Sequence, residues 1–154
     1  MYQRILVPYD GSATSNRGLA EAVKLAALTG ASLRLLHMVD DLLYATGFET
    51  YAAYANDVIP LMRETGERIL QDGKARAEQA GVKVDTLLVE GFATRLAEVV
   101  AEQARAWPAD LIVIGTHGRR GVSRFVLGSD AEQVMRTAPV PVLLVPAVSG
   151  VVAL

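Results

Sequence analysis

The chain has 154 residues, of which 51% are hydrophobic and 21% charged, and its formal net charge is −2. This length suits one domain spanning residues 1–154, and the small net charge gives no general attraction to nucleic acid or to an anionic membrane. Because the sequence contains no cysteine, disulfides, thiol catalysis and cysteine-bound metals are excluded. No apolar run approaches the ~20 residues of a membrane span and no signal-peptide core opens the chain, so we expect a cytoplasmic protein.

Strand-like and helix-like segments alternate along the chain. Short apolar runs predict strands buried on both faces, and a run of alternating polarity predicts a half-exposed strand near a sheet edge. The predicted strands are 5–7, 33–39, 82–89, 111–114 and 142–145. Helical periodicity predicts helices between Ser12 and Gly30, over 58–80, between Thr94 and Pro108, and over 129–138. The aromatic-rich segment 42–56 is predicted to be a loop.

This order, β-α-β-α-β-α-β-α-β, predicts a three-layer α/β/α sandwich around a five-stranded parallel sheet of Rossmann-like type. Such sheets bind ligands at the carboxyl ends of their strands, where the strand order reverses. If the first and fourth strands flank that switch point, the turn Asp10-Gly11-Ser12 faces the segment that begins at Gly115.

Residues 110–130 combine a strand, a glycine-rich loop and a helix start. Glycines let backbone N–H groups approach a ligand closely, and a helix N-terminus presents unpaired donors at the positive end of its dipole. The combination indicates a cradle for an anion such as phosphate.

Several common site types are absent from the sequence. It has no Gly-x-x-x-x-Gly-Lys-Ser/Thr motif and no Gly-x-Gly-x-x-Gly after the first strand, which argues against a P-loop ATPase and a dinucleotide oxidoreductase. It also lacks a Gly-x-Ser-x-Gly elbow. His37 and His117 are the only histidines, so a zinc hydrolase is not expected.

Four blocks occur in order along the chain: Pro-x-Asp-Gly-Ser at residues 8–12, Ala-Asp-Leu-Ile-Val-Ile-Gly-Thr-His-Gly at 109–118, Gly-Ser at 128–129, and Ala-Pro-Val-Pro-Val-Leu-Leu-Val-Pro at 138–146. With the spacing Gly115-x2-Gly118-x9-Gly128-Ser129, they resemble the universal stress protein family, specifically its ATP-binding subgroup. The resemblance covers most of the chain. It implies the family's Rossmann-like fold, of the adenine nucleotide alpha hydrolase type.

The resemblance also implies an adenine nucleotide (ATP, or ADP or AMP) lying across the strand ends. Pro8 and Asp10 would then lie beside the adenosine, and Val39 would offer backbone groups to the adenine. The residues that would surround the ribose and phosphates are Gly115, Thr116, His117, Gly118 and Arg119, with backbone N–H donors from Gly128, Ser129 and Asp130.

Some of these residues have structural alternatives. Ser129 and Glu132 also fit a capping box, with Ser129 at the N-cap. His117 can be a loop residue satisfied by a neighbour, and His37 is expected to be a packed or surface residue instead of a ligand. Arg119 is the arginine expected to reach phosphate.

Asp130 departs from the family pattern, which commonly has an uncharged residue there. A carboxylate in the first helical turn suits the helix dipole by ~0.3–1 kcal/mol. At 4 Å it would also repel a phosphate by roughly 1–4 kcal/mol. Either Mg²⁺ held by Asp10 or Asp130 bridges the charges, or Asp130 points away, or binding is weak.

The expected function is a nucleotide-responsive binding and signalling module in the stress response, with no catalytic residues. A slow ATP hydrolase or phosphoryl-transfer enzyme is the first alternative, since His117, Asp10 and Asp130 are the candidate bases and no dedicated lysine is present. A nucleotide-free dimeric interaction module is the second, although the intact glycines count against it. The apolar segment after Pro146 and the family resemblance predict a two-fold homodimer formed through the last strand. The protein partner stays open.

Overall fold

A computed structural model describes residues 1–40, 51–91, 93–116 and 127–147. Strands and helices alternate in the predicted order. The strands are β1 (Arg4–Pro8), β2 (Ser32–Asp40), β3 (Val84–Gly91), β4 (Leu111–Gly115) and β5 (Val142–Val145), and the helices are α1 (Ala13–Thr29), α2 (Tyr51–Gln79), α3 (Leu96–Ala106) and α4 (Ser129–Thr137). Among the described residues, no helix is long and apolar enough to cross a membrane.

The five strands form one parallel sheet in the order β3-β2-β1-β4-β5. The strand order therefore reverses between β1 and β4, which are neighbours with Ile5 opposite Leu111. This adjacency was the condition for the predicted site, and it is confirmed. We call the carboxyl ends of β1 and β4, with the chain that directly follows each, the switch-point edge.

The sheet is covered on both faces. Along β1, Ile5 and Val7 point to a core shared with α1 and α2, whereas Leu6 points to a core shared with α3 and α4. All three side chains are fully buried, and each such burial stabilises the fold by ~1.5–3 kcal/mol. The predicted three-layer sandwich is confirmed.

Strand β3 forms one edge of the sheet and is largely half-exposed, as its alternating polarity predicted. Arg34 of β2 binds this edge strand through an ion pair, because its Nε and Nη2 each donate to a carboxylate oxygen of Asp85 at 2.7 Å. The same guanidinium lies 4.6 Å from the ring centroid of Trp107 at the end of α3, within the range of a cation–π interaction.

Helix α2 begins at Tyr51, seven residues before the predicted start. The prediction of a loop is therefore wrong for residues 51–56, and the rest of that predicted loop, 42–50, lies outside the described residues. Residues 51–55 contain three alanines, which favour a helix by intrinsic propensity, whereas the prediction relied on apolar periodicity. Pro60 lies inside the helix without ending it.

Ser12 caps α1, as predicted for Ser12 or Thr14. Its backbone is extended, and its hydroxyl accepts a hydrogen bond from the N–H of Ser15 at 3.2 Å. At the other end Gly30 takes the left-handed conformation, with φ of 74°, and its N–H donates to the carbonyl of Ala26 at 2.8 Å. Both ends of this helix follow from local sequence chemistry.

The predicted capping box at Ser129 is wrong. Gly128 is the N-cap of α4, Ser129 is the first helical residue, and no side chain makes a capping hydrogen bond. Glu132 instead accepts hydrogen bonds from Arg136, at 2.8 and 3.1 Å. The helix starts one residue early because the N–H of Glu132 bonds to the carbonyl of Gly128 at 3.0 Å.

The two serines therefore make a matched pair. We expect Ser12→Ala to lower the free energy of unfolding by about 1 kcal/mol, because it removes a side-chain cap. Ser129→Ala removes no cap, so its expected effect is within about 0.5 kcal/mol of zero. Urea unfolding of both variants measures the difference, and equal losses would contradict this assignment of the two caps.

Candidate functional site

The end of β4 and the start of α4 lie together at the switch-point edge. The N–H of Thr116 continues the pairing with β5 by donating to the carbonyl of Val145 at 3.0 Å. The carbonyl of Thr116 in turn accepts from the N–H of Gly128 at 2.7 Å. This hydrogen bond places the N-terminus of α4 beside Thr116 at the end of β4.

The turn after β1 is built around Asp10. Its carboxylate oxygen Oδ1 accepts a hydrogen bond from the N–H of Ser12 at 2.9 Å, and Gly11 takes a positive φ of 75°. A positive φ is unfavourable for L-residues, whereas glycine adopts it without steric strain. This explains why glycine occupies position 11. Asp10 is half-buried, so the turn holds a carboxylate in fixed geometry at the predicted site.

Tyr9 supports this turn through hydrogen bonds, a role that the sequence did not reveal. Its side chain is buried, and its hydroxyl donates to Oδ1 of Asn16 at 2.6 Å. The amide of Asn16 donates to the carbonyl of Gly11 at 3.2 Å. Nδ1 of His37 donates to the carbonyl of Tyr9 at 2.9 Å, because a carbonyl can only accept. His37 is thus a half-buried residue that supports the turn, in line with its predicted packing role.

Tyr9 should make stability depend on pH in the alkaline range. Burial raises the pKa of Tyr9 above its ordinary value of 10.0. Arg76 opposes this rise, whereas Asp72 and Asp10 add smaller increases to the pKa. A raised folded-state pKa contributes stability below the unfolded pKa, and that contribution is lost as the pH rises through the folded pKa.

We expect Tyr9→Phe to reduce this alkaline loss and to cost about 1 kcal/mol near neutral pH, since Asn16 loses its partner. The free energy of unfolding between pH 7 and 11 measures both effects, with Tyr2→Phe as the control. An unchanged alkaline decline in Tyr9→Phe would contradict this role.

Gly115 has a packing role that the sequence did not indicate. A Cβ atom at this position would lie 2.8 Å from the backbone C and O atoms of Thr14, so only glycine lets α1 lie this close to the end of β4. The prediction attributed Gly115 to the approach of a ligand. The structure shows that its contact with α1 already requires glycine, and that α1 and α4 both begin at the switch-point edge.

Val39 was predicted to offer its backbone to adenine, but the strand alternation favours its neighbour. The carbonyl of Leu36 accepts from the N–H of Tyr9 at 2.8 Å, so residues of β2 with even numbers direct their backbone groups toward β1. Odd-numbered residues face β3, as the bond from Leu33 N–H to the carbonyl of Lys83 shows. By this alternation Val39 faces β3, and Met38 directs its backbone toward the side where β1 has ended.

Asp130 lies exposed in the first turn of α4, one residue after Ser129. Within the described parts of the chain, no group of three His, Asp or Glu side chains is placed to hold a metal ion. Asp10 and Asp130 can each offer one carboxylate to a Mg²⁺ ion, and a bound phosphate and water can supply further oxygen ligands.

Several predicted site residues fall outside the part of the chain that the structure describes. They are His117, Gly118 and Arg119, and the same holds for the segment 148–154 that was predicted to take part in dimerisation. Of the predicted residues that are described, Pro8, Asp10, Gly115, Thr116, Gly128, Ser129 and Asp130 follow or end the strands at the switch-point edge.

A shallow hollow of about 560 Å³ lies at the opposite, amino end of the sheet. Its lining residues come from the starts of β1, β2 and β3 and from the ends of α1 and α3: Gln3, Arg4, Thr29, Gly30, Ser32, Asp85 and Trp107. Parallel sheets bind ligands at the carboxyl ends of their strands. We therefore assign the candidate site to the switch-point edge and not to this hollow.

Comparison with known proteins supports this picture. A sequence model of the universal stress protein family matches residues 1–146. A universal stress protein of Methanocaldococcus jannaschii is 34% identical over 145 residues, which cover 94% of this chain and 82% of that protein. A crystal structure from the same family, from Burkholderia pseudomallei, is 36% identical with a TM-score of 0.75, over 95% of this chain and 97% of that one.

A further solved structure is of a universal stress protein in complex with cAMP. It is 27% identical to this chain with a TM-score of 0.68, and the match covers 94% of this chain and 97% of that one. On the family match and these relatives together, the chain belongs to the universal stress protein family.

Proposed function

We propose that this protein binds an adenine nucleotide, ATP above all, at the switch-point edge and acts as a nucleotide-responsive binding and signalling module in the stress response. The observation that carries the proposal is the meeting of β1 and β4 at the switch point, with the N-termini of α1 and α4 beside it. Helix N-termini offer unpaired N–H groups and a positive dipole end to phosphate. The glycine spacing of residues 115–129 and the cAMP complex of a relative support the choice of ligand.

The adenosine half of the ligand would lie beside the turn after β1. Pro8 and the fixed carboxylate of Asp10 would contact it, with Asp10 accepting from a ribose hydroxyl. Backbone groups of Met38 would bind the adenine, in place of those of Val39. The phosphate half would be bound by residues 115–119 and by the N–H groups of Gly128, Ser129 and Asp130.

Asp130 is expected to make ATP binding depend on Mg²⁺. If Asp130 only repels phosphate, Asp130→Val tightens ATP binding both with and without Mg²⁺. If a Mg²⁺ ion joins this carboxylate to the phosphates, the same variant weakens the Mg²⁺-dependent part of binding. Titration of wild type and variant with ATP, in Mg²⁺ and in chelator, separates these two arrangements.

We also propose that the protein works as a cytoplasmic homodimer, since ATP is a metabolite of the cytoplasm and β5 offers a strand edge for pairing. Strand β5 pairs with β4 on one side and ends the sheet order on the other. Leu143 on this strand is 37% exposed, and an apolar edge strand invites pairing with a second copy. Light scattering at micromolar concentration should give the mass of a dimer, and a monomeric mass would contradict the proposal.

Universal stress proteins are not generally classed as enzymes, and we propose no catalytic residues. The sequence has no lysine in a motif that would contact the phosphates, so any hydrolysis at this site is expected to be slow. ATP turnover that Asp10→Asn or His117→Ala abolishes, while nucleotide binding survives, would show that the site is an enzyme after all.

The binding proposal is tested by removing any nucleotide from the purified protein and titrating it with ATP, ADP, AMP and cAMP. Denaturing a separate sample and determining the mass of any released small molecule identifies a ligand retained from the cell. We expect one adenine nucleotide to be bound per chain at saturation. A flat titration with all four nucleotides, with and without Mg²⁺, would overturn it.

A further inference from the structure

Helix α2 runs antiparallel to the strands that it covers. A Cβ atom on Gly73 would lie 2.9 Å from Leu35 Cδ1, and one on Gly66 would lie 2.8 Å from Leu88 Cδ1. Nearer its N-terminus, Nε of Arg63 donates to Oε1 of Glu90. The helix therefore approaches the carboxyl ends of the strands as it is followed back toward its start.

The first turns of α2 extend beyond the sheet. Glu90 is the last residue but one of β3, and Arg63 lies level with it. The helix begins at Tyr51, so residues 51–62 continue past this point for about 18 Å at 1.5 Å per residue. We call these residues the overhang. Leu61 in the overhang is 62% exposed.

The Arg63–Glu90 ion pair lies where the overhang leaves the sheet. Glu90 stands opposite Val39 in the β2–β3 ladder, one strand away from the backbone of Met38 that would bind adenine. The hydrogen bond from Arg63 lowers the pKa of Glu90, so Glu90 is ionised near neutral pH and the bond is charge-assisted. This pair thus joins the overhang to the strand next to the proposed adenine position.

We propose that the Arg63–Glu90 pair is a latch that holds the overhang beside the bound nucleotide and slows its dissociation. The inference rests on the proposed nucleotide binding, which it extends by naming two residues that control retention. Arg63 and Glu90 act as positioning residues, because neither belongs to the set that would contact the nucleotide. Their side chains are 49% and 39% exposed, so the effect of breaking the pair is about two- to fivefold, as for other exposed ion pairs.

The latch is tested by the dissociation rate of a fluorescent ATP analogue chased with excess ATP. Arg63→Gln and Glu90→Gln are each expected to raise this rate about two- to fivefold, with the melting temperature lowered by no more than about 2–4 °C, the shift that the loss of one exposed ion pair accounts for. Glu90→Gln is the more decisive of the two. It removes a negative charge near an anionic ligand, so long-range electrostatics alone would slow dissociation, whereas the latch predicts faster dissociation.

Arg68→Gln is the matched control. Arg68 pairs with Glu64 on the same helix at 3.2 Å, so its loss breaks an exposed ion pair that does not join α2 to β3. The dissociation rate should stay at the wild-type value. The charge-swapped double variant, Arg63→Glu with Glu90→Arg, should restore slow dissociation that Arg63→Glu alone has lost.

The outcomes separate the two proposals. If wild type binds no nucleotide, the proposed function fails. If wild type binds and both glutamine variants dissociate at the wild-type rate, the latch fails while the proposed function stands. Faster dissociation without rescue by the charge swap, or with the melting temperature lowered by more than about 4 °C, would show a general structural effect and also overturn the latch.

Discussion

Gly115→Ala is expected to lower the free energy of unfolding by about 2–4 kcal/mol, near or above the usual range for overpacking. The added methyl group would lie 2.8 Å from the backbone C and O atoms of Thr14. Backbone atoms inside a helix cannot rotate away as a side chain can, so α1 must move off β4. Because α1 begins directly after the Asp10 turn, nucleotide affinity should fall as well. Urea unfolding and ATP titration measure the two losses.

Gly81→Ala is the control for this prediction. Gly81 has a positive φ of 75°, and a Cβ atom added there would have no neighbour within 4 Å, so alanine adds backbone strain without a clash. We expect a cost of about 1–2 kcal/mol and no change in nucleotide affinity. If Gly115→Ala costs no more than Gly81→Ala and binds ATP normally, the contact between α1 and β4 does not require glycine.

Gly118→Val is expected to weaken ATP binding by roughly 10- to 100-fold or more. A β-branched side chain in the loop would prevent backbone N–H groups from reaching the phosphates, and each hydrogen bond to a charged group contributes about 1.5–3 kcal/mol. Titration with ATP measures the loss, with circular dichroism as the check on folding.

Gly81→Val is the matched control, because it adds the same side chain next to the amino end of the sheet. It should lower stability and leave nucleotide affinity unchanged. Equal affinity of wild type and Gly118→Val would show that the glycine loop is not the phosphate cradle.

The fold could be predicted from the sequence because each strand has a recognisable pattern of apolar residues. Runs such as 5–7 and 111–114 are apolar on both faces, and turn residues bound each run. The alternation with helices then left few topologies open. The start of α2 was missed because residues 51–56 have a helical propensity without a clear apolar stripe, and propensity is a weaker signal than periodicity.

The position of the candidate site was predictable from the sequence in outline only. The motifs located the switch-point edge, but two details depend on three-dimensional register. Whether Met38 or Val39 faces the site is decided by the pairing of β2 with its neighbours, and a shift of one residue reverses the direction of every backbone group. Ser129 lies inside α4 because the N–H of Glu132 bonds to the carbonyl of Gly128, and Gly128 is itself bonded to Thr116, twelve residues earlier.

Amide chemical shifts, followed by NMR while the protein is titrated with ATP, test the central claim most directly. If ATP binds at the switch-point edge, the largest changes fall on amides of Asp10, Met38, Thr116, Gly128 and Ser129. Amides around the hollow at the other end of the sheet, such as Gly30, Asp85 and Trp107, should barely move. Changes concentrated at that hollow, or none at millimolar ATP, would contradict nucleotide binding at the switch-point edge.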